Sequence, residues 1–390
     1  MADAEVFGLP KVMITFKTKS TTAIARSARG IMVMILKEED TDISNHYSIN
    51  DITDIPDNLS AANVDLVKKA LLGVPYRILV YTMPTDDVAD ATIQQEDICK
   101  QLVNIKWNYI CAPTGNTQEQ EDLAAWVKSM RINKDKTFKA VVANVDADNQ
   151  GIINFTTGKI RVNNPAYSDA LALAGYDESK VPAAINKYNT YTAAQYTARI
   201  AGILAGLPLD RSATYYELAE VVDCETYEDI DNHINNGELV LLDEYDGNGV
   251  KIGRACNSLH TFTTDVGQDF RFIKIMECLD MVKDDIRDTF KGDYTGKVIN
   301  DYNHKMLLIQ AIMVYFSGLK GNVLDASESA INEVDIDTQA QKNYAVLHGD
   351  DTSNMSYQQI REYNTGTNVF LKGRITPVNA MEDLKIDFLM

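Results

Sequence analysis

Thr117-Gln-Glu-Gln-Glu-Asp-Leu-Ala-Ala-Trp-Val-Lys-Ser-Met130 is the stretch whose reading decides the fold. Glu119, Glu121 and Asp122 lie in its first turns, where a helix dipole favours negative charge, so it reads as a helix. Apolar runs at 107–111 and 138–145 flank it and read as strands. Working outward, 152–155 and 159–162 are further short strands. Residues 193–207 form a helix rich in small residues, stopped by Pro208. Residues 227–235 are helical up to Gly237. Residues 238–244 and 250–254 read as a hairpin across Asp246-Gly-Asn-Gly249. Strands alternating with helices make 96–262 an α/β layer.

Upstream, Gly30-Ile-Met-Val-Met-Ile-Leu36 reads as a buried strand, 63–72 as a short helix and 76–81 as another strand. The acidic stretch 40–61, broken by Pro56, reads as loop with short strands. Residues 21–95 are therefore expected to form a small β-rich domain, with 1–20 an N-terminal arm and linker. Downstream, a long helix is expected at 268–290, with Phe272, Ile275, Met276, Leu279 and Val282 on one face. A second helix follows at 304–319 and an acidic connector at 325–335. Strands are expected at 343–347 and 369–376, and Pro377 starts a turn toward the end of the chain. Residues 263–390 are thus an α+β domain, and the fold class is α/β and α+β, multidomain.

Both ends of the chain alternate with a period of two, the signature of a half-buried strand. Leu384, Ile386, Phe388 and Met390 fall on one side of the final stretch, Lys385 and Asp387 on the other. Val12, Ile14, Phe16 and Thr18 do the same near the start. Such strands either close one sheet within the chain or pair with a neighbouring chain. Polar stretches at 17–22 and 363–368 read as hinges beside them.

The chain has 390 residues, 45% of them hydrophobic, as in a globular protein. Thirty-seven basic against 56 acidic residues give a net charge of −19. That balance, with no basic block, argues against nucleic-acid binding. No apolar run is long enough to span a bilayer, and no secretion signal is read at the start. The five cysteines show no CxxC spacing and read as reduced core thiols.

Chemistry-bearing motifs are sparse. Asp146-Ala-Asp148-Asn-Gln150-Gly151 begins like a calcium loop, but Thr157 stands where a bidentate Glu is needed, so an acidic turn is the better reading. The histidines show no metal-binding spacing. Ala112-Pro-Thr-Gly115 lacks the Lys of a phosphate loop, and GxSxG is absent. Asn257-Ser258-Leu259-His260 looks catalytic, yet Asn and Ser satisfying backbone groups at a strand end is preferred. The pairs Asp284-Asp285 and Asp350-Asp351 read as solvated faces. Lys274, Lys283, Arg287 and Lys291 read as a basic stripe, either a helix surface or a partner contact. No catalytic, cofactor or metal residue is assigned.

An ordered set of short matches resembles contractile phage tail sheath proteins, closest to the short sheaths of Gram-positive myophages and phage-tail-like bacteriocins. It runs through Gly8-Leu-Pro10, Ile14-Thr-Phe16-Lys17, Thr22-Ala-Ile24 and Arg29-Gly30-Ile31. It continues through Tyr196-Thr-Ala198-Arg-Ile200-Ala201-Gly202, Ser212-Ala-Thr214, Gly237-Glu-Leu-Val240-Leu241 and Arg254-Ala-Cys-Asn257-Ser258-Leu259. It ends on Ile275-Met276, Leu279-Asp280, Tyr294-Thr-Gly296-Lys297, Asn300-Asp301, Pro377-Val378, Ala380-Met381-Glu382 and Leu384. The stretch 40–62 has no counterpart, and Cys256 and His260 stand where plainer residues are expected.

The resemblance implies a structural protein, not an enzyme, with a subtilisin-like central domain that has no protease activity. It implies self-assembly as stacked hexameric rings around a tail tube, with baseplate and tail terminator proteins as further partners. Contraction then drives the tube through a cell envelope. Assembly takes place in the bacterial host cytoplasm, and the product is a virion tail or bacteriocin particle. Val12, Ile14 and Phe16 and Leu384, Ile386 and Phe388 become subunit-linking strands, and Lys274, Lys283, Arg287 and Lys291 candidates to face the tube. The alternative is a hydrolase-like α/β enzyme with Cys224 or Cys256 as nucleophile.

Overall fold

The computed structural model describes residues 29–39, 46–85, 93–244 and 249–390. The expected N-terminal strand, with Val12, Ile14 and Phe16, lies outside the described residues, as does most of the turn at 246–249. The described residues form two units. One comprises 29–287, Gly321–Glu328 and Thr376–Met390, and the other Asp288–Lys320 and Ser329–Ile375.

The larger unit is built on one sheet. Its elements in chain order are β1 (Ile31–Glu38), β2 (His46–Ile49), α1 (Ala61–Leu71), β3 (Arg77–Pro84), α2 (Gln95–Leu102), β4 (Tyr109–Cys111), α3 (Thr117–Asn133), β5 (Lys139–Ala143) and β6 (Ile152–Phe155). Then come β7 (Ile160–Asn163), α4 (Pro165–Leu173), β8 (Tyr188–Tyr191), α5 (Ala193–Gly206), β9 (Val221–Asp223), α6 (Ile230–Asn235), β10 (Glu238–Leu239), β11 (Leu241–Asp243), β12 (Val250–Ile252) and α7 (Ile273–Thr289). The seven-stranded sheet runs β10-β6-β5-β4-β1-β3-β2, parallel except for the edge strand β2.

β1 shows why the sheet is covered on both sides. Met32, Met34 and Leu36 point to a core shared with Leu66, Val67 and Ala70 of α1 and Ile200 and Ile203 of α5. Ile31, Val33 and Ile35 point to a second core with Ile98 and Leu102 of α2 and Leu123 and Val127 of α3. Strands buried on both faces read as continuous apolar runs, which is how 30–36 reads. α1 and α5 approach closely because Gly202 has no side chain: a Cβ there would lie 2.2 Å from the Ala70 carbonyl oxygen. The capping boxes at Asn116/Glu119 and Thr192/Gln195 fix the starts of α3 and α5.

The 21–95 stretch is corrected by this topology. β1 and β3 do not build a small domain of their own; β1 lies between β3 and β4 at the centre of the large sheet. The expected hairpin at 238–254 is divided. Glu238 and Leu239 extend the large sheet beside β6, while β11 pairs with β12. β7, β8 and β9 form a separate three-stranded sheet, with α4 carried between the first two.

The smaller unit opens with a π-helical turn at Phe290–Tyr294. It continues with α8 (Tyr302–Leu319), β13 (Glu333–Ile336), α9 (Thr338–Leu347), α10 (Tyr357–Glu362) and β14 (Leu371–Arg374). β13 and β14 pair antiparallel, Glu333 opposite Arg374 and Ile336 opposite Leu371. The strand expected at 343–347 is the end of α9, which Asp337 caps and whose Gln341 and Ala345 are buried one turn apart.

Candidate interface at the C-terminal arm

The last fifteen residues, Thr376–Met390, return to the larger unit and divide into a held root and a free end. At the root, Asp325 N donates to Thr376 O at 2.8 Å and Val378 N to Val323 O at 3.0 Å. Lys274 of α7 is buried and donates to Val378 O at 2.6 Å. Burial lowers the pKa of this ammonium.

Glu382 is the second anchor. Its carboxylate accepts from Ser212 Oγ at 2.9 Å and Thr214 Oγ1 at 2.8 Å, and its side chain is only 7% exposed. Arg254 lies 3.7 Å from Glu382 and 2.5 Å from Asp383, and the Asp383 carboxylate raises the pKa of the guanidinium. Thr214 is itself held in place by Ala255 N, which donates to its Oγ1 at 3.0 Å.

Beyond Asp383 the chain has neither helix nor strand. Leu384 and Phe388 are each 85% exposed, and Ile386 is exposed as well. The apolar face expected from the alternation is there, but no strand among the described residues pairs with it. The turn expected after Pro377 does not fold it back onto β14, whose partner is β13. In the smaller unit, β13 and β14 form a sheet of two, so each has an edge with no partner among the described residues.

The basic stripe is corrected at one position, Lys274. Lys274 is buried at the arm root; Lys283 pairs with Asp135; Arg287 binds the Asp284 carboxylate and donates to Asp135 O at 2.7 Å. Lys291, in the π turn, is exposed. The acids read as a solvated face are corrected too, since Asp284 and Asp285 are buried.

Glu277, Asp280 and Asp284 lie three and four residues apart along one side of α7 and meet a cluster of cations and hydroxyls. Glu277 binds Arg29 at 2.5 Å, Tyr109 OH at 2.5 Å and Lys139 at 2.9 Å. Asp280 binds Lys139 at 2.9 Å and Arg131 at 3.0 and 3.1 Å. Thr137 donates to Asp284. Burial alone would raise the Glu277 pKa, but Lys139, Arg29 and the Tyr109 hydroxyl outweigh it and hold the carboxyl at about 2. Tyr109 and Lys139 open their strands and Arg29 precedes β1, so the cluster bolts α7 to the N-terminal end of the sheet. Open α/β sheets bind ligands at the opposite, carboxyl end.

The thiols of the enzyme alternative are poor nucleophiles. Cys256 is fully buried and donates to Glu238 O; burial pushes its pKa up to about 11. Burial, reinforced by Asp243, Asp223 and Glu225, pushes Cys224 up to about 12. Ser258 exchanges hydrogen bonds with the backbone of Asn149, and Asn257 donates to Phe270 O, the backbone role preferred for this stretch. Asp148 clasps the N–H groups of His260 and Thr261 at 2.9 and 3.0 Å, as an acidic turn does. Among the described residues, no group of three or more His, Cys, Asp or Glu is placed to hold a metal, and no helix is long and apolar enough to cross a membrane.

Residues 91–258 match the phage tail sheath protein central domain, and 265–389 the phage tail sheath C-terminal domain. The tail sheath protein of Clostridium phage phiCD119 is 31% identical, over 97% of this chain and 98% of that one. A sheath tail protein from Desulfitobacterium hafniense shares the fold, with a TM-score of 0.64 at 17% identity, over 84% of this chain and 94% of that one. So does the helical sheath of the anti-feeding prophage in its contracted state, with a TM-score of 0.66 at 13% identity, over 98% and 99%. With two matched domains and a relative 31% identical along 97% of its length, the chain belongs to the phage tail sheath proteins.

Proposed function

We propose that this protein is the structural subunit of a contractile tail sheath, whose copies stack as hexameric rings around a tail tube and are linked by exchange of terminal strands. The observation that carries this reading is the arm itself. Its root is held by Glu382 and Lys274, and its apolar face at Leu384, Ile386 and Phe388 has no partner among the described residues. A strand added to a sheet edge gains main-chain hydrogen bonds, and its alternating side chains set the register. The edges of β13 and β14 that have no strand partner among the described residues offer such a place on a second copy. Contact between different surfaces of identical chains propagates, as a tube requires.

The N-terminal strand, with Val12, Ile14 and Phe16, acts in the same way from the other end. The doubly covered parallel sheet supports the reading of a subtilisin-like central layer without protease chemistry. Contraction draws on energy stored at assembly and released over a kinetic barrier. The tail tube, baseplate and tail terminator are the further partners, and the host cytoplasm is the place of assembly. Lys291 is the exposed member of the basic set and the best candidate among them for facing the tube.

Removal of residues 384–390 tests the reading. The truncated chain stays folded and monomeric, while the full chain forms rings or tubes visible by electron microscopy. Normal tubes from the truncated chain would overturn strand exchange through this arm.

A further inference from the structure

We propose that α7 couples the roots of the two terminal arms: Arg29, by occupying Glu277, leaves Lys274 free to hold the C-terminal root, and drawing Arg29 away releases that root. This rests on the reading that the arms link copies, and adds how load on one arm reaches the other within a subunit.

Both roots meet α7 within one turn. Arg29 stands at the junction of residues 1–28 with β1, and its Nη2 donates to Glu277 Oε2 at 2.5 Å. Lys274 donates to Val378 O at 2.6 Å, on the backbone that leads to Glu382 and the free end. Positions 274 and 277 are three apart, so their side chains are neighbours on the helix surface. Both line a cavity of about 20 Å³ with Tyr109, room for one water or one ammonium.

The Glu277 carboxylate is divided unequally. Its Oε1 takes Tyr109 OH and Lys139, while its Oε2 has Arg29 alone among the described residues. Arg29 in turn hydrogen-bonds no second carboxylate: its Nη1 is 3.8 Å from Asp284 and has no hydrogen-bond partner among the described residues. Lys274 is the cation left short of charge. It is 8% exposed and has no ion-pair partner among the described residues, and Asp210 and Glu382 act on it only from farther off.

Withdrawal of Arg29 therefore leaves Oε2 bare in the interior, which is costly. Lys139 lies between Glu277 and Asp280, and Arg131 is on Asp280, so Lys274 is the cation of this neighbourhood not already on a carboxylate. Moving its ammonium from Val378 O to Oε2 exchanges a neutral acceptor for a charged one. Val378 then keeps only its own N–H, on Val323 O at 3.0 Å. By linkage the dependence runs both ways: a root drawn off Lys274 frees that ammonium for Oε2 and loosens Arg29.

Amide hydrogen exchange at Val378, followed by NMR, tests this in the unassembled full chain at about 0.02 M salt. Arg29→Met is expected to speed that exchange about tenfold or more relative to the amides of β5, which report general loss of stability. Arg29→Lys returns it toward the native rate. Glu277→Gln takes away the charge that captures Lys274, so Arg29→Met combined with Glu277→Gln brings Val378 back to within about threefold of native. In Lys274→Met nothing is left to be captured, and adding Arg29→Met changes the rate no further.

An unchanged Val378 rate in Arg29→Met, or a still faster one when Glu277→Gln is added, overturns the coupling while strand exchange stands. Should that double variant fail to fold, an additive effect of Arg29→Met on Lys274→Met overturns it alone. Tube formation by the chain lacking 384–390 is the separate result that removes the arm reading itself.

Discussion

Glu277 ties α7 to Arg29, β4 and β5 within the larger unit. It lies between Lys139 and Arg29 and accepts from Tyr109, so removing it leaves two buried cations short of their counter-charge. Glu277→Ala is expected to cost about 3–5 kcal/mol in urea denaturation, the usual result of breaking a buried pair from one side. The pH dependence follows from the lowered pKa of the folded state. Below its ordinary value of 4.5, the unfolded chain binds a proton that the folded chain refuses until about 2. Stability is therefore complete above 4.5 and lost as pH falls toward about 2, with Asp280 shifted in the same direction. Glu277→Gln should flatten that acid limb in denaturation curves taken across the range. Gly202→Ala is the steric counterpart, since its new methyl meets the Ala70 carbonyl. About 1–3 kcal/mol of destabilisation is expected, seen as a lowered thermal midpoint.

At the scale of elements, legibility in the sequence divides by the range of the interaction. The helix read at 117–130 and the strands read at 30–36 and 152–155 are local matters of capping and periodicity, and the structure has them at 117–133, 31–38 and 152–155. Which strands neighbour one another is not local. β1 pairs with β4 across more than seventy residues, and nothing in either run names its partner, so the sequence alone reads the first strands as a domain of their own. The arm divides in the same way. The alternation of Leu384, Ile386 and Phe388 is visible in the sequence, but the hold on Glu382 by Ser212, Thr214 and Arg254 is not. The buried acids of α7 did leave a signal: Glu277, Asp280 and Asp284 recur at helical spacing beside the apolar face. Glu382→Ala should free the root with a loss of about 1–3 kcal/mol or less in global stability. Faster proteolysis beyond Val378 and weaker assembly are expected, while Lys385→Ala, an exposed position, leaves both unchanged. Limited proteolysis with sedimentation checks both.

At the scale of the whole molecule, a net charge of −19 sets copies against one another. Assembly should rise as salt is increased from about 0.02 M to about 0.15 M, because repulsion between exposed charges is screened over a Debye length of roughly 8 Å at the higher value. Sedimentation velocity reads this directly, and assembly that falls with salt would instead make ion pairs the main adhesive.

The division of the arm into a clamped root and a short free end carries a mechanical consequence. Residues 384–390, drawn straight, reach about 23–25 Å from the clamp. On the proposed exchange, once most of them pair with a neighbour, little slack is left between the clamp and the paired strand, so a linked pair swivels about the clamp rather than gliding apart, as on a hinge pin.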